Sequence, residues 1–292
     1  MIKPFKLFAL FALSIGFTNC SNDDDNTPKT SDLTLNIEGL ENLGDDYVYE
    51  GWIMVDGTPQ TTGRFTVNDS GELSDNDFAL NANDLAEATA FILTIEPAVG
   101  DDPAPSKTHI LAGDFNGAQG DLTIAHGAAL GDDFSGISGN YFLATPTNSD
   151  DTDEKSGLWF LDTSSGSPAA GLDLPVLPEG WKYEGWAVKG QPITTGTFLK
   201  VNEMDDFKGF SGPMAGPPFP GEDFLVNAPA GLTFPLDLSG GIAVISIEPD
   251  PDNSPAPFLL KPLVGNISSN AMQHVTYNMS PNLSFPSGTV SR

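Results

Sequence analysis

Glu50 and Trp52, and again Glu184 and Trp186, are the residues whose types and spacing could do chemistry. Each glutamate precedes its tryptophan by two positions, so on an extended strand the pair shares a face. A carboxylate beside an indole is common in sugar sites, and paired carboxylates can do general acid–base work. The other ingredients of catalysis are missing. No G-x-S-x-G occurs, and Gly136-Ile137-Ser138-Gly139 has the wrong spacing for an activated serine. His109, His126 and His274 have no cysteine or histidine at a metal-ligand spacing, so they read as surface or half-buried strand residues. No glycine-rich phosphate loop precedes a helix. The acidic loops Asp101-Asp102 and Asp250-Pro251-Asp252-Asn253 offer hard oxygen ligands of the kind calcium takes. Aligned on the Pro-Ala-Pro blocks that follow them, their acids do not recur at equal positions, and surface solvation is the expectation. The chain is therefore expected not to be an enzyme, with no catalytic residue, no cofactor and no metal. Glu50, Trp52, Glu184 and Trp186 are its candidate binding face.

Composition narrows the classes further. The 292 residues carry 40 Asp and Glu against 12 Lys and Arg, a formal charge of −28. Nucleic-acid phosphates need a cationic partner, so nucleic acid is excluded as a target. One cysteine rules out an internal disulfide framework and a cysteine-cluster metal site. Gly and Pro number 31 and 24, a composition rich in turns.

The amino terminus reads as an export signal. Lys3 and Lys6 precede an apolar run from Leu7 to Phe17, too short to span a bilayer but the length of a secretory h-region. The run ends at Phe17-Thr18-Asn19-Cys20, which resembles a bacterial lipobox with Cys20 as the lipidated first residue of the mature chain. The following Ser21-Asn22-Asp23-Asp24-Asp25 is similar to the export signal of surface lipoproteins in Bacteroidota. Residues 1–19 are thus expected to be a lipoprotein signal peptide and 20–31 a disordered acidic tether. The expected location is extracytoplasmic, anchored through Cys20 to the outer membrane at the cell surface, with a periplasm-facing anchor as the alternative. No other segment is long and apolar enough to cross a membrane.

The rest of the chain repeats itself. Tyr49-Glu50-Gly51-Trp52 returns as Tyr183-Glu184-Gly185-Trp186, Thr61-Thr62-Gly63 as Thr194-Thr195-Gly196, and Phe65 as Phe198. Asp77-Phe78 returns as Asp223-Phe224, Ile95-Glu96-Pro97 as Ile247-Glu248-Pro249, and Pro103-Ala104-Pro105 as Pro255-Ala256-Pro257. Order is kept while the offset drifts from 134 to 152, so insertions sit between the matched blocks. Within each block the pattern is β. Val48–Val55 alternates, Asp56-Gly57 is a hairpin turn, and Phe91, Leu93 and Ile95 share one face while Glu96 and Glu248 reach the rim. Helix is confined to one short turn near Asp84, capped by Asn83 or Asp84. The expected fold is all-β: two tandem antiparallel β-sandwich (Ig-like) domains, 32–147 and 158–292, joined by an acidic linker at 148–157. Tyr141-Phe142-Leu143 and Leu158-Trp159-Phe160-Leu161 flank that linker. They either pair as a hairpin fusing the halves into one rigid body or belong to separate domains joined by a flexible linker; two sandwich domains with a close interface are the expectation. The insertion Phe210–Phe219 is expected to pack over a sandwich edge, the alternative being an exposed apolar patch of Met214, Phe219 and Phe224.

These blocks resemble the extracytoplasmic C-terminal domain of anti-sigma-K factors (RskA-like). The resemblance falls on Tyr49–Phe65 with Phe91–Gly113, and again on Tyr183–Phe198 with Ala243–Gly265. It implies an export-side β domain, here in duplicate. The family's cytoplasmic sigma-binding domain and transmembrane helix have no counterpart in this reading, so regulation of a sigma factor is expected only indirectly, through an envelope protein partner. The expected function is a non-enzymatic, lipid-anchored envelope lipoprotein with a sensing or regulatory role. The alternative is a cell-surface carbohydrate- or adhesin-type binding module.

Overall fold

The computed structural model describes residues 29–252 and 254–292. The expected signal peptide, Cys20 and most of the tether lie outside the described residues. Nineteen strands follow in order. They are β1 (Thr30–Glu38), β2 (Tyr47–Val55), β3 (Thr58–Phe65), β4 (Asp77–Asn81), β5 (Ala90–Pro97), β6 (His109–Asp114), β7 (Gln119–Thr123), β8 (Ser138–Leu143), β9 (Gly157–Trp159) and β10 (Leu161–Asp162). Then come β11 (Ala169–Ala170), β12 (Leu172–Asp173), β13 (Trp181–Lys189), β14 (Gln191–Phe198), β15 (Gly221–Asp223), β16 (Ile242–Pro249), β17 (Leu263–Asn266), β18 (Thr276–Pro281) and β19 (Ser287–Ser291). The single described α-helix, α1 (Ala82–Glu87), is capped by Asn81, whose side chain accepts from Asn83 N and Asp84 N, two or three positions earlier than expected.

The protein is all-β and forms two antiparallel domains. The first sheet runs β3-β2-β5-β6-β7-β19-β1-β4, and the second β14-β13-β16-β17-β18-β8-β9-β15 with β12 also on β8. Each curls until its end strands, β3 with β4 and β14 with β15, lie beside one another, giving a near-closed barrel. Period-two alternation drives this in β1, where Leu33, Leu35 and Ile37 are buried and Asn36 is exposed. In β2 and β5 both faces are covered. Ile92, Ala112 and Ala129 pack on Trp52 outside the barrel, and Glu96 and Glu248, expected at the rim, are buried as well.

Strand by strand the two orders correspond, and the repeat extends to side chains. Asp56 (φ 50°) and Gly57 (φ 74°) make the left-handed turn that Asp-Gly encodes. Tyr49 stacks on Phe65 and Tyr183 on Phe198, each with ring centroids 5.6 Å apart. Tyr49 Oη donates to Glu41 O at 3.0 Å and Tyr183 Oη to Pro175 O at 2.8 Å, in both cases eight residues upstream.

Two positions in this correspondence are exchanged. β8 follows β7 in the chain but pairs with β18 and β9 in the second sheet. β19 follows β18 but pairs with β7 and β1 in the first. Each half therefore supplies one strand to the other. The expected boundaries placed 138–143 in the first repeat and 287–291 in the second, and the pairing reverses both. Local pattern cannot reveal this, because alternation fixes a strand's faces and not its sheet. The expected linker likewise folds against the second sheet, and its last residue, Gly157, opens β9. Phe142 pairs with Trp159, making the flanks a hairpin, and Asp153 accepts from Thr145 Oγ1 and Asn148 Nδ2, both at 2.9 Å. Glu154 accepts from Thr145 N at 2.9 Å, so these acids hold the neighbouring loop through its side chains and backbone instead of repelling one another. A continuous core joins the halves, with Phe134 against Phe285 at 5.6 Å between ring centroids. Among the described residues no helix is long and apolar enough to cross a membrane.

Candidate functional site

The sequence-selected residues fall into a frame built twice, on β2 and β5 and on β13 and β16. In the first half the Trp52 indole N–H donates to Thr94 Oγ1 at 2.9 Å, and that hydroxyl hydrogen-bonds Glu96. In the second the Trp186 indole donates to Ser246 Oγ at 2.8 Å, and Ser246 hydrogen-bonds Glu248. Glu96 also accepts from Ser106 N at 2.8 Å and Glu248 from Phe258 N at 2.9 Å, as expected for strand-ending carboxylates. Beside each chain lies the second glutamate. Glu50 accepts from Thr61 Oγ1 at 2.5 Å, and Glu184 from the matching Thr194 Oγ1. The register shifts at Gly51/Trp52 and at Gly185/Trp186, so a bulge re-aims the same side chains in both copies. Both glycines are needed. A Cβ on Gly51 would lie 2.4 Å from Thr62 Oγ1, and one on Gly185 would lie 2.2 Å from Thr195 Oγ1.

Burial decides what this frame can present. Glu50, Trp52, Glu184 and Trp186 are 5%, 3%, 5% and 2% exposed, so they do not form an open binding face. Glu184 and Trp186 do line a cavity of about 510 Å³, with Gln191, Ile193, Phe210 and Pro255. Trp52 instead lies under Ile92, Ala112 and Ala129.

The halves differ in charge compensation. In the first, Arg64 Nε donates to Glu50 Oε2 at 2.7 Å and the guanidinium also pairs with Asp101. The matching position in the second half is Thr197, whose N and Oγ1 donate to Asp206 at 2.9 and 2.7 Å. Glu184, Glu248 and Asp252 there bring one carboxylate oxygen each to within 4.8 Å of the others. No salt bridge reaches Glu184 or Glu248 among the described residues. Burial pushes Glu184 up to about 7 and Glu248 up to about 8, and the nearby Asp252 charge adds to both. The sequence reading missed this cluster because the acids do not recur at equal positions. The usable signal was the exchange of Arg64 for Thr197.

A second difference is length. Eleven residues join Phe65 to Asp77, whereas twenty-four join Phe198 to Asp223. That insertion forms a larger cavity of about 700 Å³, lined by Trp159, Asp205, Phe207, Met214, Phe219 and Glu222 among others. It packs over the sheet, as expected. Of the alternative patch, Met214 is exposed while Phe219 and Phe224 are buried. Phe207, Phe210, Phe224 and Phe234 form one aromatic cluster beneath it. Asp205 accepts from Gly221 N at 2.7 Å and Glu222 from Phe210 N at 2.9 Å. Burial still raises Asp205 to about 8 and Glu222 to about 7. Trp159 Nε1 donates to the buried Asp223 at 2.7 Å. Asp205 and Glu222 did not stand out in the sequence, and Trp159 did so only as a flank of the linker, since the insertion's path is what brings the three together.

The histidines are dispersed. His109 lies 2.7 Å from Ala128 O, His126 3.5 Å from Asp114 and His274 3.0 Å from Glu154. None belongs to the carboxylate cluster.

Comparison with known proteins bears on the first half. The family model described as "Anti-sigma-K factor rskA, C-terminal" matches residues 26–109, a stretch that contains β1 to β5. No curated protein and no solved structure matches the chain. Residues 26–109 are thus similar to the C-terminal domain of anti-sigma-K factors.

Proposed function

We propose that this protein is a non-enzymatic envelope lipoprotein, anchored through Cys20 outside the cytoplasm, whose second β domain recognises a partner. The observation that carries the reading is the unequal duplication. Both halves share one frame, but the second adds the insertion that lines a cavity of about 700 Å³ with both apolar and acidic side chains. A rigid sheet carrying a longer loop is the usual way for a β domain to gain a binding site. Met214, 53% exposed at the cavity wall, is the apolar handle a protein partner would cover. The family match at 26–109 supports an export-side role. Any effect on a sigma factor would pass through the envelope partner. The outer membrane, with display at the cell surface, is the location this reading favours.

The test is a photo-crosslinking residue placed at Met214 in whole cells. A discrete adduct with an envelope protein, absent when the same probe sits at exposed Val99, is expected. Absence of any Met214-specific adduct would contradict the reading. A carbohydrate- or adhesin-type module is the second reading, favoured by the smaller cavity that Glu184 and Trp186 line. Glycan-array binding lost in Gln191→Ala would select it. Turnover of any glycoside, abolished by Glu184→Gln, would contradict the non-enzymatic assignment.

A further inference from the structure

We propose that Glu184, Glu248 and Asp252 form a binding site for one calcium ion, in the place that Arg64 fills in the first half. The inference is independent of what the cavities recognise.

Three observations carry it. First, the geometry fits. Three carboxylates offer one oxygen each within 4.8 Å of one another. Oxygens on opposite sides of a calcium ion bound at ~2.4 Å are separated by about that distance. Second, a buried oxygen is orphaned. Glu184 is 5% exposed, its Oε1 accepts from Thr194, and its Oε2 has no hydrogen-bond partner among the described residues. A buried carboxylate oxygen left unpaired is costly, and a cation relieves the cost directly. Third, the molecule contains its own control. The first half carries the same Glu50–Thr61 and Trp52–Thr94–Glu96 contacts, and there a guanidinium sits 2.7 Å from Glu50 and pairs with Asp101. The second half has lost that cation at Thr197 and gained Asp206 beside it.

Among the described residues no lysine or arginine forms a salt bridge with Glu184 or Glu248. Lys182 pairs with Asp250 at 3.3 Å. Lys261 feels the charges of Glu41 and Glu248 but makes no salt bridge among the described residues. Access is open from two sides, because Asp252 reaches solvent and Glu184 lines the cavity of about 510 Å³. The ligand set is all oxygen, three of them carboxylates, which suits a hard divalent ion. Calcium is favoured over magnesium because the larger ion accepts an irregular shell, whereas magnesium demands a near-ideal octahedron.

The experiment is a thermal melt of the full-length protein, stripped with EGTA, then given 10 mM CaCl₂, 10 mM MgCl₂ or NaCl at matched ionic strength. Equilibrium dialysis with calcium is run beside it. Calcium is expected to raise Tm by roughly 3–10 °C, for an affinity in the range of extracellular calcium modules. Thr197→Arg should supply the missing cation internally, melt at or above the parent without calcium, and lose the calcium response. Asp252→Asn, which keeps an oxygen to accept from Ser254 N, should weaken the response and lower the bound stoichiometry by one. An identical Tm in CaCl₂ and NaCl would overturn the proposal, since a proton shared by the glutamates would then suffice. A full calcium response retained in both variants would overturn it too, assigning the binding to the acidic surface. Equal stabilisation by MgCl₂ would overturn the choice of calcium.

Discussion

Replacing Arg64 by methionine tests whether the first half needs its internal cation. The change keeps the alkyl stem and removes the guanidinium. Glu50 then stays buried, at 5% exposure, with only the Thr61 hydroxyl on its carboxylate. Breaking a fully buried ion pair costs about 3–5 kcal/mol. The Arg64 side chain is 36% exposed, however, so water screens the interaction. A single charge-assisted hydrogen bond contributes about 1.5–3 kcal/mol, and a loss of roughly 2 kcal/mol is the expected value. That corresponds to a fall in Tm of about 4–8 °C for a chain of this size. Circular dichroism melts and urea titrations read it. The double variant Glu50→Gln/Arg64→Met should recover more than about 1 kcal/mol relative to additivity, because a neutral Gln needs no cation. Stability of Arg64→Met within about 0.5 kcal/mol of the parent, with additive behaviour in the double variant, would show that Arg64 compensates nothing. The contrast with Thr197 would then lose its force.

Three further expectations follow from the fold and the insertion. Asp121 and Thr289 face each other across β7 and β19. In a Cys20→Ser background, Asp121→Cys/Thr289→Cys should therefore oxidise to an intramolecular disulfide; failure to cross-link in the folded monomer would refute the strand exchange. A Cβ on Gly185 would meet Thr195 Oγ1 at 2.2 Å and Phe160 at 2.5 Å. Gly185→Ala should accordingly lose about 1–3 kcal/mol, and an unchanged denaturation midpoint would contradict the close approach. Asp205 and Glu222 have folded-state pKa values raised to about 8 and about 7, so the native state binds more protons than the unfolded chain above about pH 4. Their contribution to stability is complete below that pH and is lost as pH rises through 7 to 8. The urea midpoint should fall across that window, more shallowly in Asp205→Asn, and an equal slope in both proteins would count against the buried, raised carboxylate.

Much of the architecture was legible because it is local. The Tyr-Glu-Gly-Trp blocks, the Asp56-Gly57 turn and the alternation in β1 each state their conformation within a few residues. The exchange of β8 and β19 was not legible, since nothing within a strand names its neighbour. A trace of it existed in Ser138-Gly139 and Ser287-Gly288, which open equivalent strands of opposite halves. The pairing of Glu with Trp on one face was read correctly as geometry and incorrectly as exposure. Period-two reasoning assumes one wet face, and here Ile92, Ala112 and Ala129 cover the outer face over Trp52. The cavities escaped because Asp205, Glu222 and Trp159 are far apart in sequence and meet only where the insertion folds back.

The most direct test of the functional account is fractionation of cells producing the parent or Cys20→Ser. The account predicts that the parent sediments with the outer membrane and incorporates labelled fatty acid, while the variant is released in soluble form without label. A Cys20→Ser protein that still sediments with the membrane as the parent does would contradict it.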